Sequence, residues 1–261
     1  MNRFSKLPEL MIAPNGARKT KKDHPNLPIT IPEVVEEARK CFGLGVNAIH
    51  AHVRDKKGNH ILDTGLYLEL IKELSQKVPS LPVQITTEAV GKYSPEEQFN
   101  VVKKVLPESA SVAFVEMVPD IKDTKLAKQF YKFSIENNIQ IQHILYSVED
   151  LKHFIQAIKS KIIPDENLQV LYVLGRYSKS FQSKKEDLDP FLNEHKSIIS
   201  DFEWGLCAFG RAETECLIRA YSLGGKARVG FENNFQNKDG TIANSNAERV
   251  AEILKLKKTI L

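Results

Sequence analysis

Two histidines separated by one residue, His50 and His52, have the spacing of a metal chelate. They close a short apolar stretch that predicts a β-strand, and the side chains of a strand alternate between its two faces. The two imidazoles therefore project from the same face, where they can bind one divalent metal ion. A hydrogen-bonded pair of histidines near a strand end explains the spacing equally well, so the chemistry depends on a third ligand elsewhere in the chain.

The predicted third ligand is Glu232, close to the C-terminus. Residues 228 to 232 alternate, with Val229 and Phe231 on the face that suits packing against helices. A strand there turns Arg228 and Glu232 to the opposite face. Two histidines and a glutamate with an open fourth position form a catalytic zinc site, and the alternative is a surface or salt-bridged glutamate. Gly230 either leaves room for a ligand or packs closely against a neighbouring backbone.

Composition is that of an ordinary globular protein. Of the 261 residues, 42% are hydrophobic and 27% are charged, and a net charge of +4 is too mild to predict nucleic-acid binding. No apolar run is long enough to span a bilayer, and the N-terminus lacks the hydrophobic segment of a signal peptide. Cys41, Cys207 and Cys216 are predicted to be free thiols in a reducing compartment, by default the cytoplasm.

A strand pattern followed by a helix pattern recurs along the chain without a linker, which predicts one domain over residues 1–261. The eight predicted strands are Glu9–Ala13, the histidine strand within Asn47–Asp55, Leu81–Thr87, Ser111–Met117, Ile139–Tyr146, Leu168–Leu174, Phe202–Ala208 and Ala227–Glu232. One predicted helix begins at Thr30, with a capping box to Glu33, a second begins at Ser94, and a third runs towards Ile199. The other predicted helices are Thr64–Gln76, Thr124–Glu136, Val148–Lys161, Thr214–Leu223 and Ala247–Lys257.

Eight strands alternating with eight helices, at about 30 residues per unit, predict an α/β fold of the single (β/α)8 TIM barrel type. A doubly wound open sheet is the competing fold, but it usually has fewer repeats, and no G-x-G-x-x-G motif follows the first strand. In a barrel, active-site groups come from the C-terminal ends of the strands, and alternate strands share a layer. Strands two and eight therefore bring His50, His52 and Glu232 to one level.

Basic residues gather in the loops after strands one and six. Arg18 and Lys19 belong to the first loop, and Arg176, Lys179 and Lys184 to the second. A basic run is often only a solvated face. Both loops border the predicted metal site, however, and this favours an anionic substrate or a phosphorylated carrier. The remaining histidines are predicted to be core or surface residues: His24, His60, His143, His153 and His195.

Five segments of the chain resemble the β-keto acid cleavage enzymes. They are Asp23–Thr30, His50–Asp55, Gln84–Thr87, Arg228–Glu232 and Asn244–Ala247, and they extend over nearly the whole chain. The resemblance implies a zinc-dependent barrel with one Zn²⁺ per subunit, usually a homo-oligomer and commonly a homotetramer. It also implies that a β-keto acid and acetyl-CoA react to give acetoacetate and a new acyl-CoA. It implies no nucleic-acid or membrane partner.

The resemblance also assigns roles to individual residues. It makes His50, His52 and Glu232 the zinc ligands and Arg228 an arginine of the catalytic steps. Thr86 stands where a hydroxyl residue touches the substrate, although a threonine on a strand can also be purely structural.

The chain departs from the family at several positions around this site. Arg18 replaces a carboxylate that commonly follows Gly16-Ala17, and Asn233 replaces the usual acidic residue after the strand-eight glutamate. An asparagine can still hydrogen-bond Arg228 but cannot carry a negative charge or act as a base. Glu88-Ala89 replaces a glycine-rich turn after strand three, and Leu174–Ser178 lacks the paired glycines expected after strand six.

These comparisons complete the predicted site. The end of strand four, Phe114–Met117, also differs from the family and includes Glu116. The predicted catalytic residues are Arg228, Asn233 and Thr86, and the predicted substrate-binding residues are Arg18, Thr87, Glu88 and Glu116.

Two functions stay open at this point. The first is an active zinc-dependent acyltransferase with a shifted substrate. The second is a catalytically impaired or re-tasked member that binds zinc and an anionic ligand. A metal-dependent hydrolase of the amidohydrolase kind also uses His-x-His, but there the pair belongs to the first strand, and here Glu9–Ala13 precedes it.

Overall fold

The chain folds into a closed barrel of eight parallel strands in sequence order, so the predicted fold is confirmed. The computed structural model describes residues 2–120, 122–178, 180–196 and 202–259. The strands are β1 (Leu10–Ile12), β2 (Ala48–Ala51), β3 (Val83–Thr86), β4 (Ser109–Ala113), β5 (Gln140–Leu145), β6 (Gln169–Leu174), β7 (Glu203–Ala208) and β8 (Lys226–Val229). Pairing of β1 with β8 closes the barrel.

Helices connect the strands and cover the outside of the barrel. They are α1 (Ile31–Leu44), α2 (Thr64–Lys77), α3 (Pro95–Val105), α4 (Phe114–Met117), α5 (Lys125–Glu136), α6 (Val148–Lys159), α7 (Asp189–His195), α8 (Glu213–Ser222) and α9 (Asn246–Lys257). A 3₁₀ turn at Lys185–Leu188 precedes α7. The predicted positions Ile199 and Lys179 lie outside the described residues.

The start of α1 follows from its local sequence. The Thr30 hydroxyl accepts a hydrogen bond from the Glu33 amide, and the Glu33 carboxylate accepts one from the Thr30 amide at 2.9 Å. These reciprocal bonds satisfy amide groups that the first helical turn leaves without partners. The capping box predicted from the sequence is therefore confirmed, and it fixes the point at which the first long loop ends.

The end of the fourth strand differs from the prediction. β4 stops at Ala113, and the next four residues form the single turn of α4. Phe114 and Met117 are both buried. Three residues apart, they share one face of a helix, whereas a strand would send them to opposite faces. The strand predicted to reach Met117 is therefore wrong over its last four residues.

The eighth strand also ends earlier than predicted, at Val229. Gly230 has a φ of +146°, and a side chain at this position would meet the Ala13 carbonyl oxygen at 2.3 Å. The chain then turns, and the Asn233 amide donates to the Gly230 carbonyl at 2.9 Å. Glu232 thus lies in a turn after β8 and not on the strand. Of the two alternatives for Gly230, the structure shows close packing against a neighbouring backbone.

The barrel interior carries a polar layer below its C-terminal mouth. His50 on β2 lies in register with Gln84 on β3, which lies in register with Ser109 on β4. The main apolar core is outside this layer, between the strands and the helices, and includes Ile49 and Val229. The inward-facing polar side chains can therefore hydrogen-bond one another without interrupting the core.

Other sequence expectations concern the cysteines and the membrane. Cys41, Cys207 and Cys216 are buried and unpaired, as predicted. Across the described ranges, no helix has both the length and the apolar character needed to cross a membrane.

A buried ion pair supports the turn after β8. Arg249 on α9 and Glu213 on α8 are both fully buried, and Arg249 Nη2 lies 3.0 Å from Glu213 Oε2. The other oxygen, Glu213 Oε1, accepts from the Gly230 amide and from Asn233 Nδ2, each at 3.3 Å. Burial raises the pKa of Glu213, while Arg249 opposes this shift. The pair therefore joins two helices to the turn that carries Glu232.

Replacing Arg249 tests this support. In Arg249→Met the Glu213 carboxylate keeps its burial but loses its cation, and breaking a buried pair in this way costs about 3–5 kcal/mol. We expect a clearly lower midpoint in denaturant unfolding. Arg39→Met is the matched control, because Arg39 pairs with Glu36 on the exposed face of α1 and should leave the midpoint almost unchanged. Equal effects of the two substitutions would contradict the supporting role.

Candidate metal centre and active site

Three potential ligand atoms meet at the barrel mouth, where β2 and the turn after β8 end. His50 Nε2 lies 3.2 Å from His52 Nε2 and 3.8 Å from Glu232 Oε2. Glu232 Oε1 lies 3.5 Å from His52 Nε2. Tetrahedral zinc, with bonds of about 2.0–2.2 Å, needs ligand atoms roughly 3.4 Å apart. The structure thus brings the three predicted ligands into a cluster that can hold one metal ion.

A hydrogen bond from β3 sets which nitrogen of His50 faces this point. His50 Nδ1 lies 2.9 Å from Gln84 Oε1, and Gln84 Nε2 donates to Ser109 Oγ at 3.1 Å. An amide oxygen only accepts, so His50 Nδ1 carries the proton. The lone pair of His50 Nε2 is then free for a metal. Partners of this kind orient a ligating histidine and make it a stronger ligand.

His60 orients His52 in a similar way. His60 Nε2 lies 2.9 Å from the Glu88 carbonyl oxygen, which can only accept, and His60 Nδ1 lies 3.4 Å from His52 Nδ1. Burial, with help from the neighbouring His52, lowers the pKa of His60 to about 3, so its ring is neutral. His60 Nδ1 therefore accepts a hydrogen bond from His52 Nδ1. His52 Nε2 is then the nitrogen that faces Glu232.

The charge states of the cluster suit metal binding. Burial is the largest reason why the pKa of His50 lies well below its usual value, and the nearby Arg228 lowers it further. Burial alone would raise the pKa of Glu232, but Arg228 and His52 outweigh it and hold the pKa well below the usual range. Glu232 Oε2 has no hydrogen-bond partner. A neutral imidazole and an ionised carboxylate, as at His50 and Glu232, are the ligand states that a divalent metal requires.

Glu232 is held in place by the loop after β1. Gly16 in this loop has a φ of +61°, and a side chain there would meet Glu232 Cγ at 2.6 Å. Arg54 fixes the loop, because its Nε donates to the Gly16 carbonyl at 2.9 Å and its Nη1 donates to the Gly58 carbonyl at 2.8 Å. The arginine two residues after His52 thus acts on the third ligand through the backbone of Gly16.

Arg228 offers unused hydrogen-bond donors beside the cluster. Its Nη2 lies 3.7 Å from Glu232 Oε1 and donates to Cys207 Sγ at 3.6 Å. Burial raises the pKa of Cys207 to about 11, so the thiol is neutral. Arg228 Nε and Nη1 are buried and have no partner. Unpaired donors of a buried guanidinium are suited to a carboxylate, to which they can donate charge-assisted hydrogen bonds.

Two adjacent pockets lead to these groups. A deep pocket of about 20 Å³ ends on His50, Thr86 and Arg228. An outer cavity of about 440 Å³ opens above it. The residues that line both pockets, and so form the neck between them, are Glu88, Arg176, Phe209 and Glu232. The outer cavity therefore borders the deep pocket at these four residues.

Cationic side chains surround the outer cavity. Arg18 and Lys19 come from the loop after β1, Arg176 from the loop after β6, and Arg211 from the loop after β7. Burial lowers the pKa of Lys19 to about 8, although nearby carboxylates oppose this shift. Its Nζ donates to the Phe231 carbonyl at 2.9 Å. The predicted basic loops thus border the site, and their charge favours an anionic ligand.

Three further predicted residues line the pockets: Glu88, Thr86 and Asn233. Thr86 lines the deep pocket, and its hydroxyl accepts from the Glu88 amide at 3.0 Å. Asn233 lines the outer cavity, and its Nδ2 donates to Glu213 Oε1 and to the Arg228 carbonyl, each at 3.3 Å. The side-chain amide of Asn233 therefore donates to the backbone carbonyl of Arg228 and not to its guanidinium.

Thr87 and Glu116 point elsewhere. Thr87 is buried, and its hydroxyl donates to the Ser111 carbonyl at 3.0 Å. Glu116 accepts from the Ala89 amide at 3.1 Å and from Gln98 Nε2 at 3.3 Å. Burial raises the pKa of Glu116 to about 7. Neither residue lines the two pockets, so the geometry gives no support to their predicted contact with substrate.

The sequence prediction missed His60, which contacts His52 of the cluster. His143 and His24, by contrast, line neither pocket. His143 stacks against Phe154 with ring centroids 4.8 Å apart, and His24 Nε2 lies 2.9 Å from the Ala243 carbonyl. One sequence signal pointed to His60. It lies only eight residues after His52, in the loop that leaves the same strand, where a bridge to Arg54 brings it back.

Comparison with known proteins identifies similar chains. The "3-keto-5-aminohexanoate cleavage enzyme" of Fusobacterium nucleatum is 27% identical over 251 residues, which is 94% of this chain and 89% of that protein. The "3-oxoadipate:acetyl-CoA acetyltransferase" of Cupriavidus necator is 24% identical over 260 residues, or 95% of this chain and 87% of that one.

A solved structure, a binary complex of ObcA with oxaloacetate, resembles the fold with a TM-score of 0.70 at 13% identity. The match covers 88% of this chain but only 63% of the ObcA chain, and at this identity it shows the fold alone. The sequence pattern of the β-keto acid cleavage enzymes matches residues 10–260. The chain therefore belongs to the β-keto acid cleavage enzyme family.

Proposed function

We propose that the protein is a zinc-dependent acyltransferase that cleaves a β-keto acid with acetyl-CoA. The observation that carries this proposal is Arg228, which lines the deep pocket with His50 and Glu232 and whose buried Nε and Nη1 lack partners. A β-keto acid has a carboxylate and a ketone separated by one methylene. The carboxylate suits the unpaired donors of the arginine, and the ketone suits the neighbouring metal ligands.

Each residue of the site has a separate role in this reaction. When bound by His50, His52 and Glu232, the metal supplies Lewis-acid polarisation of a ketone oxygen. Arg228 donates hydrogen bonds to the carboxylate and stabilises the negative charge that develops when the carbon–carbon bond breaks. Thr86 supplies a hydroxyl in the same pocket. The neck above them limits the access of water to the reacting atoms.

The outer cavity suits the second substrate. Acetyl-CoA brings phosphates, and the cationic side chains of the cavity, including Lys19 and Arg211, attract them. A volume of about 440 Å³ lies within the range of small-molecule binding sites. In the reaction, R–CO–CH₂–COO⁻ and acetyl-CoA exchange acyl groups to give R–CO–S-CoA and acetoacetate. The name of the Cupriavidus necator relative describes a transfer of this kind.

Three further parts of the proposal come from the sequence and the family resemblance. They are zinc as the metal, assembly into a homotetramer or another homo-oligomer, and a cytoplasmic location. One domain over residues 1–261 belongs to the same proposal.

Metal content tests the ligand cluster. We expect His50→Ala to abolish stoichiometric metal binding, because two of three ligands remain. We expect His60→Ala to retain the site but to weaken zinc affinity by about 10–100-fold, since His52 loses its orienting partner. Elemental analysis and zinc titration of the purified proteins measure both effects. His153→Ala is the matched control, because His153 is exposed on α6. Equal metal in His50→Ala and the unmodified protein would overturn the cluster as the metal site.

Turnover tests the reaction itself. Zinc-loaded protein is incubated with acetyl-CoA and a panel of β-keto acids, and acetoacetate and new thioesters are measured. We expect kcat/KM to be higher for dicarboxylic 3-oxoadipate than for 3-keto-5-aminohexanoate, because Arg18, Lys19 and Arg211 disfavour an amine in the cavity. Absence of product with every β-keto acid, with zinc confirmed bound, would refute the proposed function.

One observation favours a second candidate function, a zinc-binding member that holds an anionic ligand without turnover. Asn233 cannot act as a base, and its amide is engaged with Glu213 and the Arg228 carbonyl. If an acidic residue at position 233 were essential for catalysis, the protein would bind its ligand without converting it to product.

Asn233→Asp separates the two candidates. The substitution replaces an N–H···O hydrogen bond with a second carboxylate about 3.3 Å from Glu213 Oε1, where like charges repel. If turnover does not need an acid at residue 233, we expect this variant to be less stable and no more active. Turnover assays and thermal unfolding measure the two effects. An increase in kcat of tenfold or more would instead favour the second candidate.

A further inference from the structure

Among the described residues, the two pockets contain two carboxylates, Glu88 and Glu232. Glu232 is occupied as the predicted metal ligand. Glu88 lies at the neck, so its side chain borders both the deep pocket and the cavity suited to acetyl-CoA. A carboxylate at this junction faces the place where the two substrates have to meet.

The backbone of Glu88 is fixed on two sides. Its amide donates to the Thr86 hydroxyl at 3.0 Å, and its carbonyl accepts from His60 Nε2 at 2.9 Å. Its carboxylate lies 3.5 Å from Arg176 Nη2, and the Arg176 guanidinium lies over the Phe209 ring at 5.5 Å. The side chain is therefore held at the neck without being enclosed by hydrogen bonds.

Other groups near the site are poorly placed to remove a proton. The Glu213 carboxylate is fully buried behind the turn and paired with Arg249. Glu116 lines neither pocket. The Tyr146 phenol reaches the deep pocket, but burial raises its pKa well above the usual value, so it stays protonated. Lys19 lines only the outer cavity and not the deep pocket, and its Nζ donates a hydrogen bond to the Phe231 carbonyl.

We propose that Glu88 is the catalytic carboxylate that takes a proton from C2 of the β-keto acid and later returns it. This inference rests on the proposed function and names the base that Asn233 cannot be. Arg176 is a positioning residue, because it touches Glu88 and holds its carboxylate at the neck.

The proton transfer balances over one turnover. Glu88 takes one of the two C2 protons, and the C–H electron pair moves into the ketone as an enolate. C2 attacks the thioester carbon of acetyl-CoA, and the CoA thiolate leaves that carbon and adds to the original ketone carbon. The bond from that carbon to C2 then breaks, which releases the new acyl-CoA and the enolate of acetoacetate. Protonated Glu88 returns its proton to C2, and no oxidant or reductant is needed.

Hydrogen–deuterium exchange at C2 measures the first step alone. Zinc-loaded protein is mixed with 3-oxoadipate in D₂O without acetyl-CoA, and loss of the C2 proton signal is followed by NMR against a protein-free blank. We expect Glu88→Gln to lower the rate of enzymatic exchange at saturating substrate by about 10²–10⁴-fold, the usual contribution of a general base. Zinc content and thermal unfolding show that this variant is loaded and folded.

Two further variants separate the base from the ion pair. Glu88→Asp keeps a carboxylate and should restore part of the exchange. Arg176→Gln breaks the same ion pair but keeps Glu88, so it should lower the maximal exchange rate clearly less than Glu88→Gln does. An equal loss of maximal exchange in Arg176→Gln and Glu88→Gln, or none in Glu88→Gln, would overturn the role of Glu88.

The outcomes distinguish this inference from the proposed function. If the unmodified protein forms acyl-CoA and Glu88→Gln exchanges C2 protons at the same rate, Glu88 is not the base, whereas the proposed acyl-transfer reaction is retained. If the loaded, unmodified protein neither exchanges nor forms products with any β-keto acid, both fail.

Discussion

The site depends on the meeting of two imidazole nitrogens and a carboxylate at one buried point. Gln84 accepts a hydrogen bond from His50 Nδ1, and His60 accepts one from His52 Nδ1, so the two Nε2 atoms face each other at 3.2 Å. Glu232 adds a negative charge to the same point. Burial removes the water that would screen these groups, and a bound cation relieves their repulsion. The neighbouring side chains therefore organise the cluster for a metal before the metal binds.

This cluster also depends on distant parts of the chain, because its third ligand lies in a turn and not on a strand. The turn is supported from behind by the pair of Glu213 and Arg249, which joins α8 to α9. On its other side, the loop after β1 packs Gly16 against Glu232. A buried ion pair carries a desolvation cost. Here each oxygen of Glu213 has a separate partner, and the pair fixes the position of a ligand as well as joining two helices.

The sequence predicted the barrel and the three clustered residues because both follow from periodic patterns. Alternation along a strand turns Arg228 inward, and that prediction agrees with the structure although Glu232 itself reaches the cluster through a turn. His60 could not be placed, because its position depends on how a loop folds back and no periodicity describes that path. The helical turn at Phe114–Met117 was missed for a related reason. A segment of only four residues after a strand is compatible with a longer strand or with a helical turn, and its packing against the core decides between them.

The charges around the pocket link two positions that look unrelated in the sequence. The sequence resemblance predicts that Glu88 replaces a glycine-rich turn and that Arg176 lies in a loop without the expected paired glycines. In the structure these two residues pair across the neck. The same chain has Asn233 where an acid is usual, and a second acid there would face Glu213 at short range. The negative charge lost beside β8 and the one gained beside β3 therefore border adjacent pockets, and the arginine beside β6 pairs with the new carboxylate at the neck.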